Sequence, residues 1–154
     1  MADSNTSLQI VTFQLGAEKY GIDIMEVKEI VDYEEIRSIP NAPVYVEGIY
    51  NLRGDIIPII SLHRRFHLKR PDDIDEDSLL IITIGGMELG IIIDRVLRVI
   101  PIEAEEIQPP PQMLSGIGAE YIQGVVNKED GYLIILDSLR LFDPEELRQI
   151  SQYS

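Results

Sequence analysis

Hydrophobic and polar positions alternate along most of the chain with the period of a β-strand, and short turn-forming clusters punctuate the alternation. Residues 9–15 place Ile10, Thr12 and Gln14 on one face and Val11, Phe13 and Leu15 on the other, which predicts a strand; residues 16–19 turn it into a second, 20–24. Residues 49–52 and 56–60 form two arms rich in β-branched side chains around Arg53-Gly54-Asp55. Gly54 supplies a positive φ at no steric cost and leaves Arg53 projecting from the hairpin tip. Pro58 lacks a backbone N–H, which predicts that its strand lies at an edge or carries a bulge. Two more hairpins follow, 79–84 with 89–93 around Gly85-Gly86, and 122–126 with 132–136 around 127–131.

Helical signals are sparse. Residues 25–31 set Val27 and Val31 at helical spacing but are too short for a long helix, and 94–100 repeat that ambiguity. Ser61 can cap a short helix over 62–68, and Asp137 or Ser138 another. Asp143, followed by Pro144 and by Glu145 and Glu146 against the positive end of the helix dipole, opens a C-terminal helix over 143–154 with Leu147 and Ile150 as its apolar stripe. Residues 39–43 form a rigid elbow, the acidic run 69–77 is the best internal boundary, and Pro109-Pro110-Pro111 reads as a stiff loop. Residues 1–7 are a flexible tail.

The chain is also a repeat. Setting Gly21 against Gly90 overlays residues 11–31 on 80–100 without a gap, with apolar positions coinciding at Phe13/Ile82, Ile22/Ile91, Val27/Val96 and Ile30/Val99. Further on, 48–51 match 124–127, and Gly54 meets Gly131 after one extra residue in the second turn. Each half reads as hairpin, short arm or helix, hairpin, short helix, which is enough strand for a small barrel. The fold class is therefore mainly β, two barrels from an internal repeat with a C-terminal helix. The two lobes span about 11–68 and 79–142, with strands possibly exchanged between them. Two such barrels bury their apolar flanks most economically against each other, and the groove between them becomes the natural binding site.

Charge and composition narrow the function. With 27 acidic against 13 basic residues the net charge is −14, which opposes sequence-independent nucleic-acid binding and attraction to anionic membranes. Cysteine is absent, so thiol nucleophiles, thiolate metal sites and disulfides are excluded. No apolar run has the length of a membrane span and the first residues carry no signal-peptide pattern, so a cytoplasmic protein is expected, reaching a membrane only through partners.

Chemistry for an enzyme is missing. Asp137-Ser138 is followed by Leu139, and Asp94 by Arg95, so neither half carries the Asp-Thr/Ser-Gly of a two-lobed aspartic protease. His63 and His67 share a helical face if the helix runs through both, but Arg64 and Arg65 lie between them and no partnering glutamate completes a zinc motif. No glycine-rich loop opens a helix for phosphate. Neither a cofactor nor catalysis is expected. The halves differ in charge: Glu29 and Arg53 in the first stand where the second has Arg98 and, in its altered turn, Glu129 or Asp130.

Residues 20–24 (YGIDI), Val27-Lys28-Glu29-Ile30 and, above all, Gly48 through Asn51-Leu52-Arg53-Gly54 to Ile57-Pro58-Ile59 and Leu62 resemble the CheW family of chemotaxis coupling proteins. The resemblance runs on through 90–94 and 124–136 and covers residues 8–142 as one domain. It implies two intertwined SH3-like five-stranded barrels and a non-enzymatic adaptor. Its implied partners are the cytoplasmic tip of a methyl-accepting chemoreceptor and the regulatory domain of a CheA-type histidine kinase, in membrane-associated receptor arrays. On the same basis Arg53 and Glu29 are the charged functional pair, Val27, Gly48 and Val99 fall at receptor-coupling positions, and Val31, Tyr33 and Ile36 mark the kinase side. An adaptor of a twitching, gliding or developmental pathway, or a two-barrel protein with a ligand or enzymatic site in the groove, are the alternatives.

Overall fold

A computed structural model describes residues 7–32, 36–68, 78–110, 121–128 and 131–153. Ten strands run in chain order: β1 (Ser7–Leu15), β2 (Glu18–Asp23), β3 (Val27–Asp32), β4 (Val46–Leu52), β5 (Asp55–Ser61), β6 (Ser78–Ile84), β7 (Met87–Ile93), β8 (Arg95–Glu103), β9 (Ile122–Lys128) and β10 (Gly131–Leu136). Two short helices, α1 (Leu62–Arg65) and α2 (Pro144–Ser151), follow β5 and β10. The strands form two five-stranded sheets, ordered β3-β6-β7-β5-β4 and β8-β1-β2-β10-β9. These are two SH3-like barrels, called here barrel 1 and barrel 2. Each takes strands from both repeats: the hairpin β1–β2 belongs to barrel 2 and its counterpart β6–β7 to barrel 1.

Alternation along the strands sorts side chains into three cores. Leu79, Ile81 and Ile92 point into barrel 1 with Ile57 and Ile59, while Ile10, Ile102, Val126, Leu133 and Ile135 fill barrel 2. The intervening residues, Phe13, Leu15, Tyr20 and Ile22 from one sheet and Leu80, Ile82, Leu89 and Ile91 from the other, meet in the largest core, between the barrels.

Several local expectations change for physical reasons. The helical spacing of Val27 and Val31 belongs to a strand with a bulge: the register of β3 against β6 shifts between Val27 and Glu29. The extra residue flips the alternation, so Val27 packs on the inter-barrel core and Val31 on the core of barrel 1. β8 has its irregularity at the equivalent place, opposite Thr12 and Phe13, so 95–100 too resolve as strand, after a bend at Asp94. α1 ends at Arg65, and His67 adopts a positive φ of 59°, so His63 and His67 do not share a helical face. Pro58 is not on an edge strand, since β5 lies between β7 and β4. Its parallel ladder to β7 begins only at Ile59, so Pro58 precedes the stretch where a second neighbour needs N–H donors.

Two contacts at equivalent places pin the barrels together where the chain crosses between them. After β7, Asp94 is fully buried; its Oδ2 accepts a hydrogen bond from the Gly16 N–H at 2.7 Å and its Oδ1 lies 2.9 Å from Nε2 of buried His63 on α1. After β2, Glu26 in a short 3-10 turn accepts a hydrogen bond from the Ser138 hydroxyl in the turn that follows β10. Burial raises the Glu26 carboxyl above the usual carboxylate value; Ser138 opposes the rise, and the charges of Asp23 and Asp137 add to it.

One ionic clamp holds the C-terminal helix over the end of the inter-barrel core. Arg65 forks onto Glu146, both N–O distances being 2.6 Å, and donates to the Leu141 carbonyl at 3.0 Å. The rings of Tyr45, Tyr121 and Phe142 lie 4.9–5.2 Å from its guanidinium carbon. Glu146 also closes the capping box of α2 with Asp143, and Ile150 is thereby fully buried.

Glu146→Ala is expected to cost about 2–3 kcal/mol in chemical denaturation, because it strips a charge-assisted fork and leaves Arg65 enclosed by rings. Arg148→Ala, which removes an exposed pair with Glu145, is expected to cost under about 0.5 kcal/mol. The raised Glu26 value means that the fold favours the protonated form. That contribution is complete below the usual carboxylate value and is lost as pH rises through the folded value. Glu26→Gln should therefore match the parent in thermal melts near pH 4 and exceed it near pH 7; a difference that does not change with pH would refute the assignment.

Candidate functional site: the arginine hairpin and the edge of barrel 1

The β4–β5 hairpin turns on two residues. Leu52 is buried at the end of β4, and Arg53 and Gly54 both have positive φ, 52° and 95°, as a two-residue type I′ turn requires. Asn51 fixes the turn by accepting the Gly54 N–H on its side-chain oxygen at 2.8 Å. The run Asn-Leu-Arg-Gly thus encodes a turn anchor, a core anchor, a displayed cation and a permissive glycine. Arg53 alone runs against local preference, since a left-handed backbone costs a non-glycine residue about 1–2 kcal/mol.

Arg53 reaches across to Glu29 on β3 and forms an ion pair through Nη2 and Oε2. The side chains are 69% and 26% exposed, so the pair stands at the surface with the arginine outermost. Next to it on β3, Lys28 pairs with Glu88 at the β6–β7 turn. Ile30, also exposed, completes a mixed apolar and charged edge.

The remaining predicted residues divide into groups. Val27 is half-buried against the inter-barrel core. Gly48 is buried and displays nothing: a Cβ there would lie 2.3 Å from the Arg37 carbonyl oxygen, where residue 37 bridges to Ile49 and closes the edge of barrel 1. Gly124 meets the Gln108 carbonyl in the same way in barrel 2. Val99 is 48% exposed, on β8 in the other sheet, at the position equivalent to Ile30. Val31 and Ile36 come together with Tyr50 over the core of barrel 1. Ile36 also lines, with Arg37, Ile49, Asn51 and Ile56, an opening of about 360 Å³. Tyr33 lies outside the described residues.

Ile30, Ile56 and Leu97, all exposed apolar residues on these strands, were not singled out from the sequence. For Ile30 the signal was present in the overlay of the repeats, where it meets Val99. No three potential metal ligands gather among the described residues, and no helix of these is long and apolar enough to cross a membrane.

Comparison with known proteins agrees with this architecture. Residues 9–146 match the model of the CheW-like domain. A chemotaxis protein CheW from Treponema pallidum is 53% identical over 98% of this chain and 91% of its own, and one from Klebsiella aerogenes is 33% identical over 96% and 89%. The crystal structure of the scaffolding protein CheW from Thermoanaerobacter tengcongensis superposes with a TM-score of 0.82 at 37% identity, covering 90% of each chain. With two intertwined barrels, a family match over residues 9–146 and relatives matched along almost their whole length, the chain belongs to the CheW family of non-enzymatic chemotaxis scaffolds.

Proposed function

We propose that this scaffold couples the cytoplasmic tips of methyl-accepting chemoreceptors to the regulatory domain of a CheA-type histidine kinase, and that these partners recruit it to membrane-associated arrays. The observation that carries the reading is the display of Arg53. Its left-handed backbone costs energy, yet an exposed ion pair such as Arg53–Glu29 returns only about 0–1 kcal/mol. The turn calls for a left-handed residue that glycine would supply without strain, so an arginine kept there is accounted for by an interaction beyond the turn.

The chemistry of the surface fits two different partners. A receptor tip is a helical hairpin. The exposed Ile30 and Val99, half-buried Val27 and the Arg53–Glu29 pair offer it an apolar stripe with charged flanks, the kind of surface that receives an amphipathic helix. The opening of barrel 1, with Val31 and Ile36 beside it, is an apolar barrel end suited to packing against another barrel, which the regulatory domain of the kinase is expected to provide. Gly48 acts indirectly in this scheme, by letting residues 36–38 lie close against β4.

Calorimetric titration with the kinase regulatory domain and with a soluble receptor fragment tests the reading. Arg53→Ala should leave the melting temperature within a few degrees of the parent but weaken one of the two partners by about 2 kcal/mol, a hot-spot loss. The exchanged pair, Arg53→Glu with Glu29→Arg, should recover any stability lost in the single changes without recovering affinity; recovery of both would mean that the pair serves only itself. Gly48→Ala should behave in the opposite way, losing about 1–3 kcal/mol of stability as the Arg37 strand is displaced. Failure of a folded sample to bind either partner would defeat the proposal.

A further inference from the structure

The two crossings between the barrels are built alike but covered differently. β5 pairs with β7 and β10 with β2 in the same register, Ile59 facing Gly90 and Ile135 facing Gly21. The turns that follow therefore correspond: Ser61 to Asp137, each a side-chain cap, His63 to Leu139, and Phe66 to Phe142. In the overlay that sets Gly21 against Gly90, Asp94 corresponds to Met25. At one crossing these two positions hold the buried acid and the buried histidine that meet at 2.9 Å. At the other they hold Met25 and Leu139, 86% and 71% exposed, the two most exposed large apolar side chains among the described residues.

Both residues are held in place. Asp23 accepts the Met25 N–H at 2.9 Å and Asp137 the Leu139 N–H at 3.0 Å, so each stands at the second position of a capped 3-10 turn. The Ser138 hydroxyl donates to Glu26 and ties one turn to the other. The turns carry the carboxylates of Asp23, Glu26 and Asp137 against the guanidinium of Arg140, which lies 3.3 Å from Asp137. The charges of Asp23 and Asp137 both act on Glu26, so negative charge is concentrated around the tie. Beside Leu139 lies an opening of about 410 Å³ that Tyr121, Phe142, Asp143 and Pro144 also line.

We infer that Met25 and Leu139 dock a helix of a partner protein, one that presents an aliphatic stripe flanked by lysine or arginine. The stripe covers the two exposed side chains, of which the unbranched methionine adapts its shape to what it meets, and the opening beside Leu139 takes a larger apolar side chain of the same helix. The flanking cations meet the carboxylates that the two turns hold in excess. A helix fits better than an extended segment, because Met25 and Leu139 stand on 3-10 turns and offer an added strand no ladder to extend. A second copy of this chain fits less well. It carries a net charge of −14, and the longer of its two helices, α2, already spends Leu147 and Ile150 on the inter-barrel core. The patch uses none of the residues assigned to the coupling surfaces, so it stands or falls independently of that proposal.

The test is a fluorescence-anisotropy titration of the full chain with a labelled alanine-based helical peptide of about sixteen residues, carrying leucine at i, i+3, i+4 and i+7 and lysine on both sides of that stripe. Saturable binding that weakens with added salt is expected, with no binding of the same peptide bearing glutamate in place of lysine. The double variant Met25→Ser, Leu139→Ser should weaken binding about tenfold or more with the melting temperature within a few degrees of the parent, since both side chains are exposed. Asp23→Asn keeps a side-chain acceptor for the Met25 N–H while dropping the charge, and should bind more weakly with a shallower salt dependence. Tyr132→Ser, which removes an exposed apolar residue at the other end of β10, and Arg53→Ala should both bind as the parent does. Equal binding by the parent and the double variant would overturn the inference, as would equal binding of the glutamate peptide, an equal loss in Tyr132→Ser or the absence of saturable binding. Self-association in sedimentation that the double variant abolishes, without peptide binding, would reassign the patch to a second copy.

Discussion

The central strands of this protein must be apolar on both faces, and most of its architecture follows from that constraint. A barrel of five short strands buries only about 60% of the surface its unfolded chain exposes, so by itself it is only marginally stable. Here each barrel uses one face of its strands for its own interior and the other for the neighbouring barrel, so β6 and β7 are buried almost throughout. The exchange of the β1–β2 and β6–β7 hairpins interlocks the two, because each barrel as folded contains strands of both repeats. Among the described residues charge is concentrated on edge strands, strand ends, turns and the two helices, with Asp94 a buried exception. That is how a chain with 45% hydrophobic residues also carries a net charge of −14.

Among the described residues, buried polar side chains that are not caps or strand-pairing bonds gather where the barrels are joined. Asp94 with His63 on one side and Glu26 with Ser138 on the other occupy corresponding crossings, the first buried and the second partly so. Both tie a crossing segment to the turn or helix after a hairpin. The Arg65 clamp has a different task. It seals one end of the inter-barrel core with α2, and its three aromatic neighbours belong to that same core or pack against it.

Much of this was legible in the residues. The hairpins, the repeat, the caps at Ser61, Asp137 and Asp143 and the arginine at the tip of β4–β5 all rest on local rules, and local rules can be read from one chain. The Glu29–Arg53 pairing came with the family resemblance. The bulges could not be read, because an inserted residue makes a strand mimic the spacing of a helix, as Val27 and Val31 do. Arg65 was also missed: its fork to Glu146 joins residues far apart in sequence, and an arginine beside two histidines gives no local sign of being enclosed by rings. The position of Gly48 was legible as a glycine, but its reason, the Arg37 carbonyl against it, is a tertiary contact.

Duplication supplies the frame twice, so whatever distinguishes the two barrels must lie in side chains that the frame does not constrain. The core positions of the repeats are apolar in both, the bulges coincide, and both closing glycines meet a carbonyl from the preceding arm. Divergence falls instead on half-buried and exposed positions outside the cores, where Lys19 stands against Glu88 and Arg98 against Glu29 in the repeat overlay. Electrostatic reversal at equivalent sites changes which partners are attracted without touching the packing that holds the barrels together. In the proposed coupling role this division serves both requirements: the doubly buried strands supply the rigidity, and the charged surface positions the choice of partner.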